Sequence, residues 1–167
     1  RLAETFAYLA VVLDAHSRRA VGWAIAEHLR AELTLAALHL ALRRRELIPG
    51  GLVHHSDRGV QYACSDYMAV LERHGIQPSM SRPGCPYDNA MAESFMKTLK
   101  QEEVDGQTYR NLAHAQASIG EFIEEVYNQQ RLHSALDYRA PTAFETITSR
   151  PGAAAPHPQA AAATDCP

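Results

Sequence analysis

Ala7-Tyr8-Leu9-Ala10-Val11-Val12-Leu13 is one unbroken apolar run rich in β-forming residues, and nothing else in the chain restricts its fold so sharply. A run of this length without polar alternation reads as a strand buried on both faces. Asp14-Ala15-His16-Ser17 supplies turn chemistry, and Arg19 to Ile25 reads as a second strand, so the opening is a hairpin. From Ala31 to Arg45 the apolar positions Leu33, Ala36, Ala37 and Leu40 recur at helical spacing until Pro49-Gly50-Gly51 ends the segment.

Leu52-Val53-His54-His55 reads as a short strand that runs into Ser56-Asp57-Arg58-Gly59. A helix follows, with Ser65 as its N-cap, Tyr67, Met68 and Leu71 on one face and Gly75 at C′. Ile76 to Met80 reads as another strand and 81–86 as a Pro/Gly loop. Helical patterns then cover about Asp88 to Val104 and Ala113 to Gln130. A hairpin followed by alternating helices and short strands predicts an α/β fold, a mixed sheet flanked by helices. Residues 1–149 are expected to form one domain. The Ala/Pro-rich stretch 150–167 has nothing to bury and is expected to be a disordered tail.

Composition narrows the classes. The 167 residues are 46% hydrophobic and 21% charged, which fits a globular chain and excludes a fibrous or disordered one. There is no apolar run of about 18 residues to span a membrane. Cys64, Cys85 and Cys166 form no CxxC pair, which argues against a zinc ribbon or a disulfide framework and favours a cytoplasmic location. A net charge of −3 is a poor footprint for nucleic acid, but it is unevenly spread. Residues 1–100 hold 12 Lys and Arg against 10 Asp and Glu, and residues 101–167 hold 4 against 9, so the acid sits mostly late in the chain.

The chemistry concentrates on the helix after the Pro/Gly loop. With Glu93 as reference, Asn89 and Lys97 fall about 40° to either side and Lys100 about 20° away, while Ala92, Phe95, Met96 and Leu99 gather on the far side. One face packs, and the other aligns a carboxylate, an amide and two ammonium groups. For an isolated helix a solvated Glu–Lys face is the plainer reading. Asp57, placed where a buried strand meets a Gly-containing turn, changes the balance, because α/β sheets present functional side chains there. Two carboxylates aimed at one point would bind a hard cation such as Mg²⁺, and the lysines beyond would meet phosphates.

The arrangement resembles a known family. His55-Ser56-Asp57-Arg58-Gly59-Val60-Gln61-Tyr62, Asp88-Asn89-Ala90-Met91-Ala92-Glu93-Ser94-Phe95, Lys97-Thr98-Leu99-Lys100 and the stretch from Tyr127-Asn128 through Arg131-Leu132-His133 to Leu136 resemble the integrase catalytic core of bacterial insertion-sequence transposases. The resemblance covers about Ala7 to Ile147. It implies a ribonuclease-H-like fold and an Asp, Asp, Glu triad that holds Mg²⁺ or Mn²⁺ and cuts and joins DNA strands.

By matching motif positions it implies that Asp57 and Glu93 are catalytic and metal-binding, that Lys100 seats the DNA end, and that Lys97 and Asn89 share that face. The family's first Asp lies on a strand before Tyr8, where this sequence has only Arg1 to Ala7, so the first strand is expected to be truncated, metal binding weak and the chain inactive alone. The implied partners are DNA, as transposon ends and target, and further copies of the complete protein. The alternatives are a ribonuclease-H-like nuclease that hydrolyses without joining, or a catalytically dead remnant that keeps nucleic-acid or partner binding.

Rival candidates are weaker. Asp14 ends a strand, yet its turn position points to a structural role. His54 and His55 are strand neighbours and face opposite ways, which disfavours a joint metal site. Arg43-Arg44-Arg45 suit a helix C-terminus. Tyr127 and Arg131-Leu132-His133 are explained equally by DNA contact and by a packed helix end.

Overall fold

A computed structural model describes Leu2, residues 5–47 and residues 50–149, so the expected tail lies outside the described residues. The predicted hairpin is present as β1 (Tyr8–Leu13) paired antiparallel with β2 (Ala20–Ala26). Side chains alternate across it. Ala10, Val12, Ala24 and Ala26 pack with Leu33 and Ala37 of α1 (Ala31–Arg44). Leu9, Val11, Leu13, Trp23 and Ile25 meet the opposite layer.

That opposite layer is built from α3 (Ala90–Leu99), α4 (Leu112–Glu121) and the π-helical turn 122–127, with Phe95, Leu99, Ile119, Phe122, Ile123 and Tyr127 at its centre. Small residues bring α1 close to the sheet. A methyl group on Gly22 would lie 2.2 Å from the Ala37 carbonyl oxygen.

A second unit follows: β3 (Val53–Ser56) pairs parallel with β4 (Gln77–Met80), and α2 (Ser65–Arg73) packs its Tyr67, Val70 and Leu71 with Ile76, just before β4, and with Leu38 of α1. Gly75 sits at the expected C′ position with φ of 63°, and the Ile76 and Gly75 amides donate to Leu71 and Glu72, closing a Schellman motif. The N-cap is Cys64, one residue before the expected Ser65, which is the first helical residue.

The mixed sheet is present as two strand pairs, β1–β2 and β3–β4, with no ladder between β1 and β3 among the described residues. Between them lies a cleft of about 860 Å³, walled by β1 residues Leu9 to Leu13 on one side and by Val53 to Asp57 on the other. This explains why β1, expected to be buried on both faces, is half-buried or, at Tyr8, exposed everywhere but at Ala10. Its outer edge and that of β3 both open on the cleft.

Two further elements depart from expectation. The helix anticipated over 88–104 is α-helical only across α3. A 3₁₀ turn at Pro86–Asn89 leads in, and a π turn at Lys100–Val104, closed by the Asp105 amide on the Lys100 carbonyl at 2.7 Å, leads out. Helix α5 (Pro141–Thr148), with Pro141 in its first turn, was not anticipated. It is latched by Asn128, which is 1% exposed. The Asn128 side chain accepts from the Ala20 amide at 2.9 Å and donates to the Ala20 carbonyl at 3.0 Å, while the Asn128 carbonyl accepts from Thr142.

Glu145 of α5 ties three elements together, accepting from Ser17 at 2.6 Å, Arg19 at 2.7 Å and Arg45. Burial alone would push the Glu145 carboxyl up, but the bonds from Arg45, Ser17 and Arg19 outweigh it and hold it below the usual carboxylate range. A depressed folded pKa contributes stability above the unfolded pKa, which is lost as pH falls through the folded value. Glu145→Gln is therefore expected to cost about 2 kcal/mol at pH 7 and to flatten the loss of stability below about pH 4.5. Urea midpoints across pH 3–7 check this, and parallel curves for the two proteins would contradict it.

Candidate carboxylate site

Strand β3 ends at Ser56, and the next residue, Asp57, projects from a tight turn. Its Oδ1 accepts the Gly59 amide at 2.8 Å, an Asx turn that leaves its other oxygen uncommitted among the described residues. A Cβ at Gly59 would come within 2.9 Å of Asp57 Oδ1 and 2.6 Å of Gln61 Nε2, so a side chain there would displace the ends of both. Arg58 fastens the turn to the second unit, its Nε donating to the Ser81 carbonyl at 2.9 Å.

Glu93 lies in the first turn of α3, where the helix dipole favours a negative charge. Its apolar side is anchored by Phe95 and Leu99, 1% and 3% exposed, so Glu93, Lys97 and Lys100 are turned outward and exposed. Lys100 is the first residue of the widened π turn and remains exposed. Asn89 stands at the N-cap position, outside the regular helix, so its angle on the helical wheel does not apply.

Asp57, Asn89 and Glu93 all line the cleft between the two strand pairs; Lys97 and Lys100 do not line it. Asp88 lines it as well, but Arg82 occupies it, donating from its backbone amide at 2.8 Å, Nε at 3.1 Å and Nη2 at 3.0 Å. Those bonds hold the Asp88 carboxyl at a pKa of about 2. The clip closes the 82–88 loop at the entrance to α3 and was missed at the sequence level, although Arg82 and Asp88 flank the Pro/Gly run closely enough to have signalled it.

The remaining candidates resolve as structural. Asp14 Oδ1 accepts the His16 and Ser17 amides at 2.9 and 3.1 Å, and Oδ2 pairs with Arg45 at 3.1 Å, so the residue serves the hairpin turn although it borders the cleft. His54 bonds to the Tyr67 hydroxyl at 3.0 Å, and burial followed by the adjacent His55 lowers its pKa. His55 turns the other way, to Ser79 at 2.9 Å and Ser81 at 3.2 Å. Arg44 pairs with Glu124, and Arg45 with Asp14 and Glu145. Tyr127 packs edge-on against Phe95, with ring centroids 4.7 Å apart.

Asp57 and Glu93 are hard oxygen donors on one cleft wall system, and Glu93 makes no hydrogen bond or ion pair with another described residue. This chemistry fits a divalent cation. Among the described residues no group of three or more His, Cys, Asp or Glu side chains is placed to hold a metal unaided. No helix among the described residues is long and apolar enough to cross a membrane.

Comparison with known proteins places the chain in a family. Integrase core domain descriptions match residues 1–86 and 74–141. The transposase for insertion sequence element IS904 of Lactococcus lactis is 43% identical over 142 residues, 85% of this chain and 56% of its own length. Transposase InsF for insertion sequence IS3A of Escherichia coli is 41% identical over 145 residues, 87% of this chain and 50% of its own. The chain thus spans about half the length of the curated relatives it matches.

A chain in the cryo-EM structure of the simian T-cell lymphotropic virus intasome matches the fold with a TM-score of 0.69 at 13% identity, over 92% of this chain and 52% of that one. The fold is accordingly ribonuclease-H-like. From the family matches and the insertion-sequence relatives together, the chain belongs to the integrase core domain family in the form carried by insertion-sequence transposases.

Proposed function

We propose that this chain is the part of a transposase that cuts and joins DNA by metal-dependent phosphoryl transfer, with Asp57 and Glu93 as its metal-holding carboxylates. The observation that carries the reading is that a strand-end aspartate and a helix-face glutamate, with 35 residues between them in sequence, border one cleft between two unpaired sheet edges. The family uses divalent metal ions, and we assign Mg²⁺ or Mn²⁺ from the all-oxygen donor set. When bound, such ions activate an attacking oxygen and stabilise a leaving one.

The protein's own share is positioning. The Asx turn at Gly59 fixes Asp57, the buried side of α3 fixes Glu93, and the Arg82–Asp88 clip sets where α3 begins. In this reading a further strand, carrying the third carboxylate, completes the sheet in the cleft, as the first strand does in the resembled family. DNA ends and target are the substrates, and the complete protein acts as an oligomer.

Lys97 and Lys100 belong to the same proposal as contacts to the DNA backbone, with Asn89 at the helix start. Replacing both lysines with Ala is expected to weaken binding of a short duplex about tenfold or more at moderate salt and to make the log–log salt dependence shallower by about 2, since each phosphate contact releases close to one counterion. A fluorescence titration at several salt concentrations reads both quantities. Unchanged affinity and slope would reduce the stripe to a solvated helix face.

A further inference from the structure

On the flank of α3, separate from the carboxylate cleft though Met91 borders both, lies a second pocket of about 220 Å³. Arg18 reaches it from the β1–β2 hairpin, Ser94 and Thr98 from α3, Tyr127 from the end of the π turn 122–127, and Arg131 and His133 from the segment after it. No Asp or Glu lines it. Arg131 donates to Glu102, which lies outside the lining, whereas the Arg18 guanidinium makes no ion pair among the described residues. Nε2 of His133 is buried without a hydrogen-bond partner among them, a state that normally calls for an unseen partner. Burial and then the charges of Arg131 and Arg18 lower the His133 pKa, which agrees with two guanidiniums standing near its ring.

Arg18 is held at φ of 63°, a conformation that glycine adopts freely, so glycine at this position removes the charge without straining the turn.

We infer that this pocket is a phosphate-binding subsite, in which Arg18 and Arg131 supply the charge, Ser94 and Thr98 donate hydroxyl hydrogen bonds, and the phosphate is one of a nucleic-acid backbone. Paired guanidiniums with hydroxyl donors suit the geometry and charge of a phosphate. The anion site stands on the pocket alone; its assignment to nucleic acid rests on the proposed function.

The test uses residues 1–167, as the native sequence and as Arg18→Gly, which removes the charge while relieving the strain, with Arg18→Lys as the charge-retaining variant. Inorganic phosphate titrated into the native protein should shift the amide resonances of Ser94, Thr98 and His133. Arg18→Gly should weaken that binding at least tenfold with an unlowered melting temperature, Arg18→Lys should keep part of it, and duplex DNA affinity should fall in parallel, with the salt slope shallower by about 1.

Phosphate binding that is undetectable in the native protein, or equal in native and Arg18→Gly proteins, overturns the subsite. Phosphate affinity lost while DNA affinity is untouched overturns the nucleic-acid source. Phosphate bound normally by a protein that binds no DNA at all overturns the proposed function and leaves the anion pocket standing.

Discussion

A strand carrying an aspartate, placed in the cleft between β1 and β3 by extending the N-terminus, is expected to raise Mn²⁺-dependent nicking of a short DNA about a thousandfold or more above that of residues 1–167, and Asp57→Asn or Glu93→Gln to remove the gain. A thousandfold in rate corresponds to about 4 kcal/mol of transition-state stabilisation, a reasonable share for one carboxylate of a metal-holding set. The two strand pairs each present an open edge to a cleft of about 860 Å³, so an added strand finds hydrogen-bonding partners on both sides. Strong metal-dependent nicking by residues 1–167 without any added strand would contradict this. Asp14 would then be the residue to change first, although its oxygens already serve two backbone amides and Arg45.

The largest expected effect on folding lies at Gly22. A Cβ there would stand 2.2 Å from the Ala37 carbonyl oxygen and 2.8 Å from the Ala41 Cβ and backbone nitrogen, so helix α1 itself would have to lift off the sheet. Gly22→Val is expected to cost about 3 kcal/mol or more, as overpacking does where backbone cannot yield. Gly84 provides the contrast. Its φ of 73° strains a side chain, but no atom lies within 4 Å of a Cβ there, so Gly84→Ala should cost only about 1 kcal/mol. Thermal melts of the two variants decide the matter, and equal midpoints would show that α1 does not rest on β2 as described.

Much of this was legible in the sequence, for physical reasons that differ from element to element. The hairpin and α1 announced themselves through local periodicity, and Gly75 through the left-handed geometry that a helix end needs. Asp57 and Glu93 stood out as candidates because each follows a local rule, one after a strand and one on a helix face, and folding places both on one cleft. Helix α5 was not legible from apolar spacing because its eight residues depend on tertiary bonds, from Asn128 to Thr142 and from Glu145 to Arg19 and Arg45.

The role of Asn128 was hidden likewise: a polar residue after a tyrosine says nothing of a bond to Ala20, 108 positions away. Lys100 to Val104 continues the helical pattern, and no periodicity distinguishes its i→i+5 bond from an ordinary turn. The separation of the two strand pairs is a property of the assembled sheet, invisible in either strand alone.

The central claim, that Asp57 and Glu93 hold one divalent ion, is tested most directly by titrating Mn²⁺ into ¹⁵N-labelled protein and following paramagnetic broadening of amide resonances. Broadening should appear together at Arg58 and Gly59, beside Asp57, and at Ser94 and Phe95, beside Glu93, with the weak affinity of a two-carboxylate site. It should vanish from both places in Asp57→Asn and again in Glu93→Gln. Broadening confined to one of the two places, or centred elsewhere such as Glu102 and Glu103, or indifferent to both substitutions, would contradict the shared site.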